Sequence, residues 1–387
     1  MTKIFKALTG VLLTGFLLLG LAVPGPAYAL VGKPEVTAQA AILMDMKTGA
    51  VLYEKNADQI MEPASLTKIM TGLLAVELLD PATEVTIDRD FPESGNSLIL
   101  RQGEVLTVEQ LLYGMLVHSA NDAAIVLAEE MAGSVEEFCK LADARAKEIG
   151  AVHSVFKNPN GRNDVTGHVT TARDLALISA EAMKNPLFRQ IVGTDHYTIP
   201  ATGKSPARSY DSTNRLLYDT ETELTVGTQV RTPKYDGILG IKTGETTTAG
   251  LCLAAAAAQG DTELIAIVLD APKGLFRFSD GIALLDYGFD NFYSYRVLSA
   301  GDSPGKAPVR RAASIKAAGI VPGDCWITLP AEASSSLLEQ RIVWSEDLAA
   351  PLEKGSVLGT ADYYLADKKI ASFPLVAAKD VPKGGPW

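Results

Sequence analysis

Two spacings of apolar residues divide the chain. Ala40–Met44, Ala50–Tyr53, Gly237–Thr243, Ala249–Ala258 and Glu263–Asp270 are short, largely apolar blocks. Blocks of this length bounded by turn residues predict strands. Lys47-Thr48-Gly49 and Gln259-Gly260-Asp261 lie between neighbouring blocks and predict hairpin connections. The middle of the chain has a different period. From Ser65 to Leu79 the apolar positions include 66, 69, 70, 73 and 74, helical spacing without a proline. Val108–Leu116, Asp122–Met131, Val135–Ile149 and Thr171–Lys184 predict further helices, the last opened by a capping box at Thr171-Ala-Arg-Asp174. An amphipathic helix is predicted over Phe278–Phe292. Strands from both ends with helices between them predict an α+β domain over residues 30–292, built on one sheet of mixed origin.

Past residue 292 the texture changes. Ser314–Ile320, Cys325–Leu329, Gln340–Trp344, Ser356–Tyr364 and Ile370–Val376 alternate with Pro322-Gly323, Lys354-Gly355 and Asp367-Lys368. Regular short runs between turn signals predict a small all-β, sandwich-like domain over 293–387. With 387 residues, two domains are also what length alone suggests.

At the N-terminus, Lys3 and Lys6 precede the apolar run Leu8–Val23, and Ala27-Tyr28-Ala29 offers small residues for cleavage. This predicts an export signal over residues 1–29, the other reading being an uncleaved anchor. The net charge of −11 becomes −13 without that segment, which carries two lysines and no acids. So acidic a protein argues against nucleic acid or an anionic lipid surface as partner. Cys139, Cys252 and Cys325 are odd in number and widely spaced, which argues against a disulfide framework or a metal cluster.

Three motifs carry chemistry: Ser65-Leu-Thr-Lys68, Ser119-Ala-Asn121 and Lys242-Thr-Gly244. Each recurs elsewhere, as at Ser154–Lys157, Ser303–Lys306, Ser94–Asn96, Ser212–Asn214 and Lys47–Gly49, so context must choose. Ser65 and Lys68 are three apart on a predicted helix and share its face. Asn158-Pro159-Asn160-Gly161 breaks the chain after Ser154, and Ser303-Pro304-Gly305 is a turn. Lys68 is the only charge between Ser65 and Val76; burial there disfavours the ammonium and yields an amine able to take the serine's proton. Ser119–Asn121 lies between two predicted helices, and Lys242–Gly244 ends a predicted strand. Bland readings fit the same residues: a capping Ser65 beside a solvated lysine, a capping Ser119 or Asn121, a surface Arg277.

The three motifs in this order resemble those of the penicillin-binding proteins and β-lactamases, and in particular the exported D-alanyl-D-alanine carboxypeptidases. Gly95-Asn-Ser97-Leu, Phe156–Gly161 with His168, Leu275-Phe-Arg277-Phe and Ala350–Gly359 extend the likeness over the whole mature chain. The resemblance implies a β-lactamase/transpeptidase-like domain and the following roles. Ser65 is the nucleophile and Lys68 its base; Ser119 and Lys242 relay a proton to the departing D-alanine. Asn121 orients the substrate amide, while Thr243 and Arg277 hold the carboxylate. Gly244 lets substrate approach the strand, and the N–H groups of Ser65 and Glu245 form the oxyanion hole. Implied partners are peptidoglycan stem peptides ending in D-Ala-D-Ala and, as covalent inhibitors, β-lactams. No cofactor is implied.

Two residues depart from the family pattern: Arg162, where an apolar residue is usual, and Glu245, where histidine, tyrosine or threonine is usual. The sequence around Gly384-Gly385-Pro386-Trp387 lacks the length or basic face of an amphipathic membrane anchor, so none is expected. A β-lactamase, an endopeptidase or a non-catalytic β-lactam binder on the same fold remain alternatives.

Overall fold

The computed structural model describes residues 32–92, 95–163, 166–314, 316–333 and 335–384. The expected export signal at 1–29 and the final residues 385–387 lie outside them. The described residues form two compact units: residues 32–297 with Trp326–Ser335, and Leu298–Cys325 with residues 336–384. Together they give an α+β domain and an all-β domain, as the apolar spacing predicts.

The first unit is organised by a five-stranded antiparallel sheet. Its strands are β1 (Ala40–Asp45), β2 (Val51–Lys55), β3 (Ile238–Thr246), β4 (Gly250–Gln259) and β5 (Thr262–Ala271), in the order β2-β1-β5-β4-β3. Lys47-Thr48-Gly49 is the β1–β2 turn, as its flanks predict. Both faces of the sheet are buried, which is why β4 and β5 read as nearly continuous apolar runs. Ile42, Ala254, Ala256, Ile265 and Ile267 pack on the helical side. Leu43, Leu253, Ala255, Leu264 and Val268 alternate with them and pack under α7 (Phe276–Asn291), with its Phe278, Ile282 and Leu285.

On the other face lie α1 (Thr67–Leu78), α2 (Val108–Leu116), α3 (Asn121–Ala132), α4 (Val135–Ile149), α5 (Ala172–Ala182) and α6 (Pro186–Val192). Local signals set their ends. Thr107 and Gln110 form a capping box on α2, Ser134 caps α4 and Thr171 caps α5. Helix α1 is buried from Thr67 to Ala75 on every side, as befits the helix at the centre of a core. It begins later than its spacing suggests, because Ala64–Leu66 forms a separate 3-10 turn.

In the second unit β6 (Gly305–Pro308), β7 (Lys316–Ile320), β8 (Leu338–Trp344), β9 (Val357–Leu365) and β10 (Lys368–Ala377) form an antiparallel sheet, order β6-β7-β10-β9-β8. Ala307, Leu358 and Ala377 anchor its small core. Among the described residues no helix is long and apolar enough to cross a membrane.

Candidate active site

Three pieces of backbone converge on one cleft of about 230 Å³: the turn before α1, the α2–α3 junction and the end of β3. Ser65, Ser119, Asn121, Thr243, Gly244, Glu245 and Arg277 all line it. Lys68 and Lys242 lie beneath that lining with no exposed surface. The nine residues expected from the motifs are therefore brought together.

None of the capping readings survives. The turn at Ala64–Leu66 and helices α1 and α3 have no side-chain cap; the residues at their N-caps are Pro63, Leu66 and Ala120. Ser65 and Ser119 follow from backbone that is bent instead. Ala64 has φ +48 and Ser119 φ +68, a region non-glycine residues occupy at a cost of order 1–3 kcal/mol.

Lys68 has three neighbours. Its Nζ lies 2.9 Å from Asn121 Oδ1, 2.8 Å from the Asn160 carbonyl and 3.0 Å from Ser65 Oγ. Two of these are carbonyl oxygens, which can only accept. A neutral amine gives its two hydrogens to them and keeps its lone pair for the serine hydroxyl. Burial, and after it the charge of Lys242, push the Lys68 ammonium well below its ordinary range. The three contacts fit either protonation state; desolvation is what favours the neutral amine.

Lys242 is also displaced. Burial first, then the Arg277 guanidinium, lower it from 10.5 to about 7. Its Nζ donates to the Thr243 carbonyl at 3.0 Å and to Thr213 Oγ1 at 3.5 Å, and makes no hydrogen bond to Ser119. Thr243 Oγ1 donates to Thr213 Oγ1 at 2.7 Å. Arg277 is half-buried, its side chain 16% exposed, rather than a solvated surface residue. Its Nη1 donates to Gly244 O at 3.2 Å, and its Nε has no partner among the described residues. A half-buried guanidinium with a spare donor suits an incoming carboxylate. Glu245 Oε2 stands 3.8 Å from the same Nη1, on a side chain 67% exposed.

Gly244 is required by closeness. A Cβ there would lie 3.1 Å from Ser65 N and 3.2 Å from Leu66 N. The strand end therefore passes directly beside the serine's N–H. The loop at 95–100 is held by Asp122, which accepts from Ser97 Oγ at 2.7 Å, Leu98 N at 3.0 Å and Leu100 N at 3.2 Å. His118, the histidine beside Ser119, stacks on Tyr210 at 4.0 Å.

Three contributors had no role of their own assigned from the sequence, although Asn96 and Asn160 lie in segments that carried the family resemblance. Thr213 lies inside Ser212–Asn214, one of the motif copies set aside. Asn96 joins the cleft lining and donates to His118 O at 2.6 Å. Asn160 acts through its backbone oxygen, for which no side-chain signal exists. Among the described residues no three His, Cys, Asp or Glu side chains cluster as metal ligands.

Comparison with known proteins agrees with this geometry. Residues 28–273 match the D-alanyl-D-alanine carboxypeptidase family, and 292–383 match the penicillin-binding protein 5 C-terminal domain. The chain is 32% identical to D-alanyl-D-alanine carboxypeptidase DacC of Escherichia coli (strain K12), covering 92% of this chain and 87% of that protein. It is 30% identical to DacF of Bacillus subtilis (strain 168), covering 90% and 87%. Penicillin-binding protein 5 from Haemophilus influenzae superposes with a TM-score of 0.76 at 30% identity, over 91% of this chain and 100% of that one. With the family match spanning most of the chain, this protein belongs to the D-alanyl-D-alanine carboxypeptidase family.

Proposed function

We propose that the chain is an exported serine carboxypeptidase that removes the terminal D-alanine from peptidoglycan stem peptides and is acylated by β-lactams. One observation carries the reading: a fully buried lysine whose Nζ lies 3.0 Å from Ser65 Oγ in the cleft. Ser65 attacks the carbonyl of the penultimate D-alanine as its proton passes to Lys68. The developing oxyanion is met by the N–H groups of Ser65 and Glu245. Thr243 and Arg277 hold the substrate carboxylate, and Asn121 orients its amide. As the tetrahedral intermediate collapses, the D-alanine nitrogen leaves with a proton supplied by Lys242 through Ser119. This step needs Lys242 to turn from Thr213 toward Ser119 within the cleft. Water then attacks the acyl-enzyme, regenerating Ser65 and freeing the shortened peptide.

The test is to label mature protein with a fluorescent penicillin and assay D-alanine release from a pentapeptide, beside Ser65→Ala. Labelling and release in the parent, both abolished by Ser65→Ala, are expected. A label that survives in the variant assigns the nucleophile elsewhere, and a parent that neither labels nor releases D-alanine refutes the function.

A further inference from the structure

We propose that Thr67 and His168 are positioning residues that aim and polarise the Ser65 N–H from behind; the inference rests on that N–H serving as an oxyanion donor. A hydrogen-bond chain whose directions are forced runs from the Lys157 amide to the Ala64 carbonyl. The Lys157 amide lies 3.0 Å from His168 Nδ1, and an amide N–H can only donate, so Nδ1 carries a lone pair. His168 therefore bears its hydrogen on Nε2, which lies 2.8 Å from Thr67 Oγ1. The Thr67 hydroxyl accepts that hydrogen and gives its own to the Ala64 carbonyl at 2.8 Å. Both side chains are buried, at 4% and 1% exposure, so no solvent competes for these bonds.

The end of this chain is the point of interest. The Ala64 carbonyl and the Ser65 N–H belong to one planar trans peptide, in which they point in opposite directions. Holding the oxygen on the protein side turns the N–H outward, toward the cleft beside Gly244. A hydrogen bond accepted by the carbonyl also makes the N–H of the same peptide a stronger donor. Ala64 is held at φ +48, a conformation its own preferences do not supply, and its carbonyl also accepts the Thr67 backbone N–H, so the hydroxyl adds a second hold to a bond that a side-chain change leaves in place. Gly161 seals the same carbonyl from the other side: a Cβ at that residue would fall 1.7 Å from Ala64 O. Thr67 and His168 touch no reacting atom in this scheme. Their effect is on where one donor points and how strongly it donates.

Thr67→Val keeps shape and removes the hydroxyl; Thr67→Ser keeps the hydroxyl. The readouts on full mature protein are the penicillin acylation rate, the affinity of the preceding non-covalent complex and the affinity for a peptidyl boronic acid. The boronate forms a tetrahedral adduct on the serine and so reports the oxyanion site. Thr67→Val should slow acylation roughly 10- to 100-fold, with boronate affinity falling in parallel and the non-covalent affinity unchanged. Thr67→Ser should stay within about threefold of the parent, and adding His168→Leu to Thr67→Val should cost little more, since the two act as one unit. Should Thr67→Val fold poorly, His168→Gln, which restores an N–H donor, is compared with His168→Leu and should acylate faster. Parental acylation by Thr67→Val, equal losses in the valine and serine variants, a loss confined to non-covalent affinity, or equal rates for the two His168 variants would each overturn the proposal. A parent protein that is not acylated at all refutes the functional reading instead.

Discussion

Replacing Arg277 by glutamine should do two separable things. The guanidinium is a half-buried cation in the cleft lining with one donor unspent, and the proposed function gives it the substrate carboxylate. A hydrogen bond to a charged group contributes about 1.5–3 kcal/mol, so its loss should raise KM roughly 10- to 100-fold. The second effect acts on Lys242. Burial and then the Arg277 charge hold that lysine at about 7 rather than 10.5. Removing a neighbouring positive charge favours the ammonium, so the Lys242 value rises, stopping short of 10.5 because burial persists. Where protonated Lys242 supplies the leaving group's proton, activity declines as pH climbs through its pKa. The alkaline limb of kcat/KM, near 7 in the parent, should therefore move to higher pH in Arg277→Gln. The assay is D-alanine release from an acylated Lys-D-Ala-D-Ala peptide across pH, with kcat and KM resolved and folding matched by circular dichroism. A KM within about threefold of the parent refutes the carboxylate role. An alkaline limb that stays in place refutes the coupling between the two cations.

Two further outcomes follow from the same geometry. Between about 7 and 10.5 the unfolded chain holds a proton on Lys242 that the folded chain does not, so stability rises with pH across that window. Lys242→Met should remove its share of this slope, Lys68 keeping its own, and be more stable than the parent below 7 by on the order of a few kcal/mol, the gain fading toward 10.5; a parent-to-variant difference in denaturant midpoint that is the same at pH 6 and pH 9 would refute it. Asp122→Asn should cost about 2–4 kcal/mol, because an amide cannot accept all the bonds that Ser97, Leu98 and Leu100 give the carboxylate. Hydrogen exchange at Leu98 and Leu100 should quicken, and unchanged protection there would contradict the anchoring role.

The central sheet and its helices were legible because burial leaves a strong periodic imprint. Val135–Ile149 shows this, bounded by a capping serine and followed by Gly150 at φ +91. The paired strands Glu84–Thr86 with Val105–Thr107, and His196–Ile199 with Arg208–Asp211, were not legible. Three or four residues are too few to establish a period of two. The site divides in the same way. Ser65 and Lys68 announce themselves by their spacing and by a lone charge in an apolar helix, while Arg277 was legible only through the family resemblance. Asn160 contributes only a carbonyl, which any residue has, and Thr213 enters the cleft through tertiary folding of a short polar segment. The late start of α1 had no sequence marker either, since helical spacing runs unbroken through Ala64–Leu66.

Strand β3 is the last in its sheet, so one rim of its backbone has no neighbouring strand. Sheets normally guard such borders against pairing with other chains. At the opposite border, β2 shows Glu54 to solvent. The β3 border is instead walled by the turn that bears the nucleophile, leaving access chiefly where Thr243, Gly244 and Glu245 meet the cleft. An extended ligand laid there becomes a sixth strand by β-augmentation. Main-chain recognition of that kind rewards backbone shape over side-chain identity, and occupancy covers a strand edge that is otherwise open to pairing.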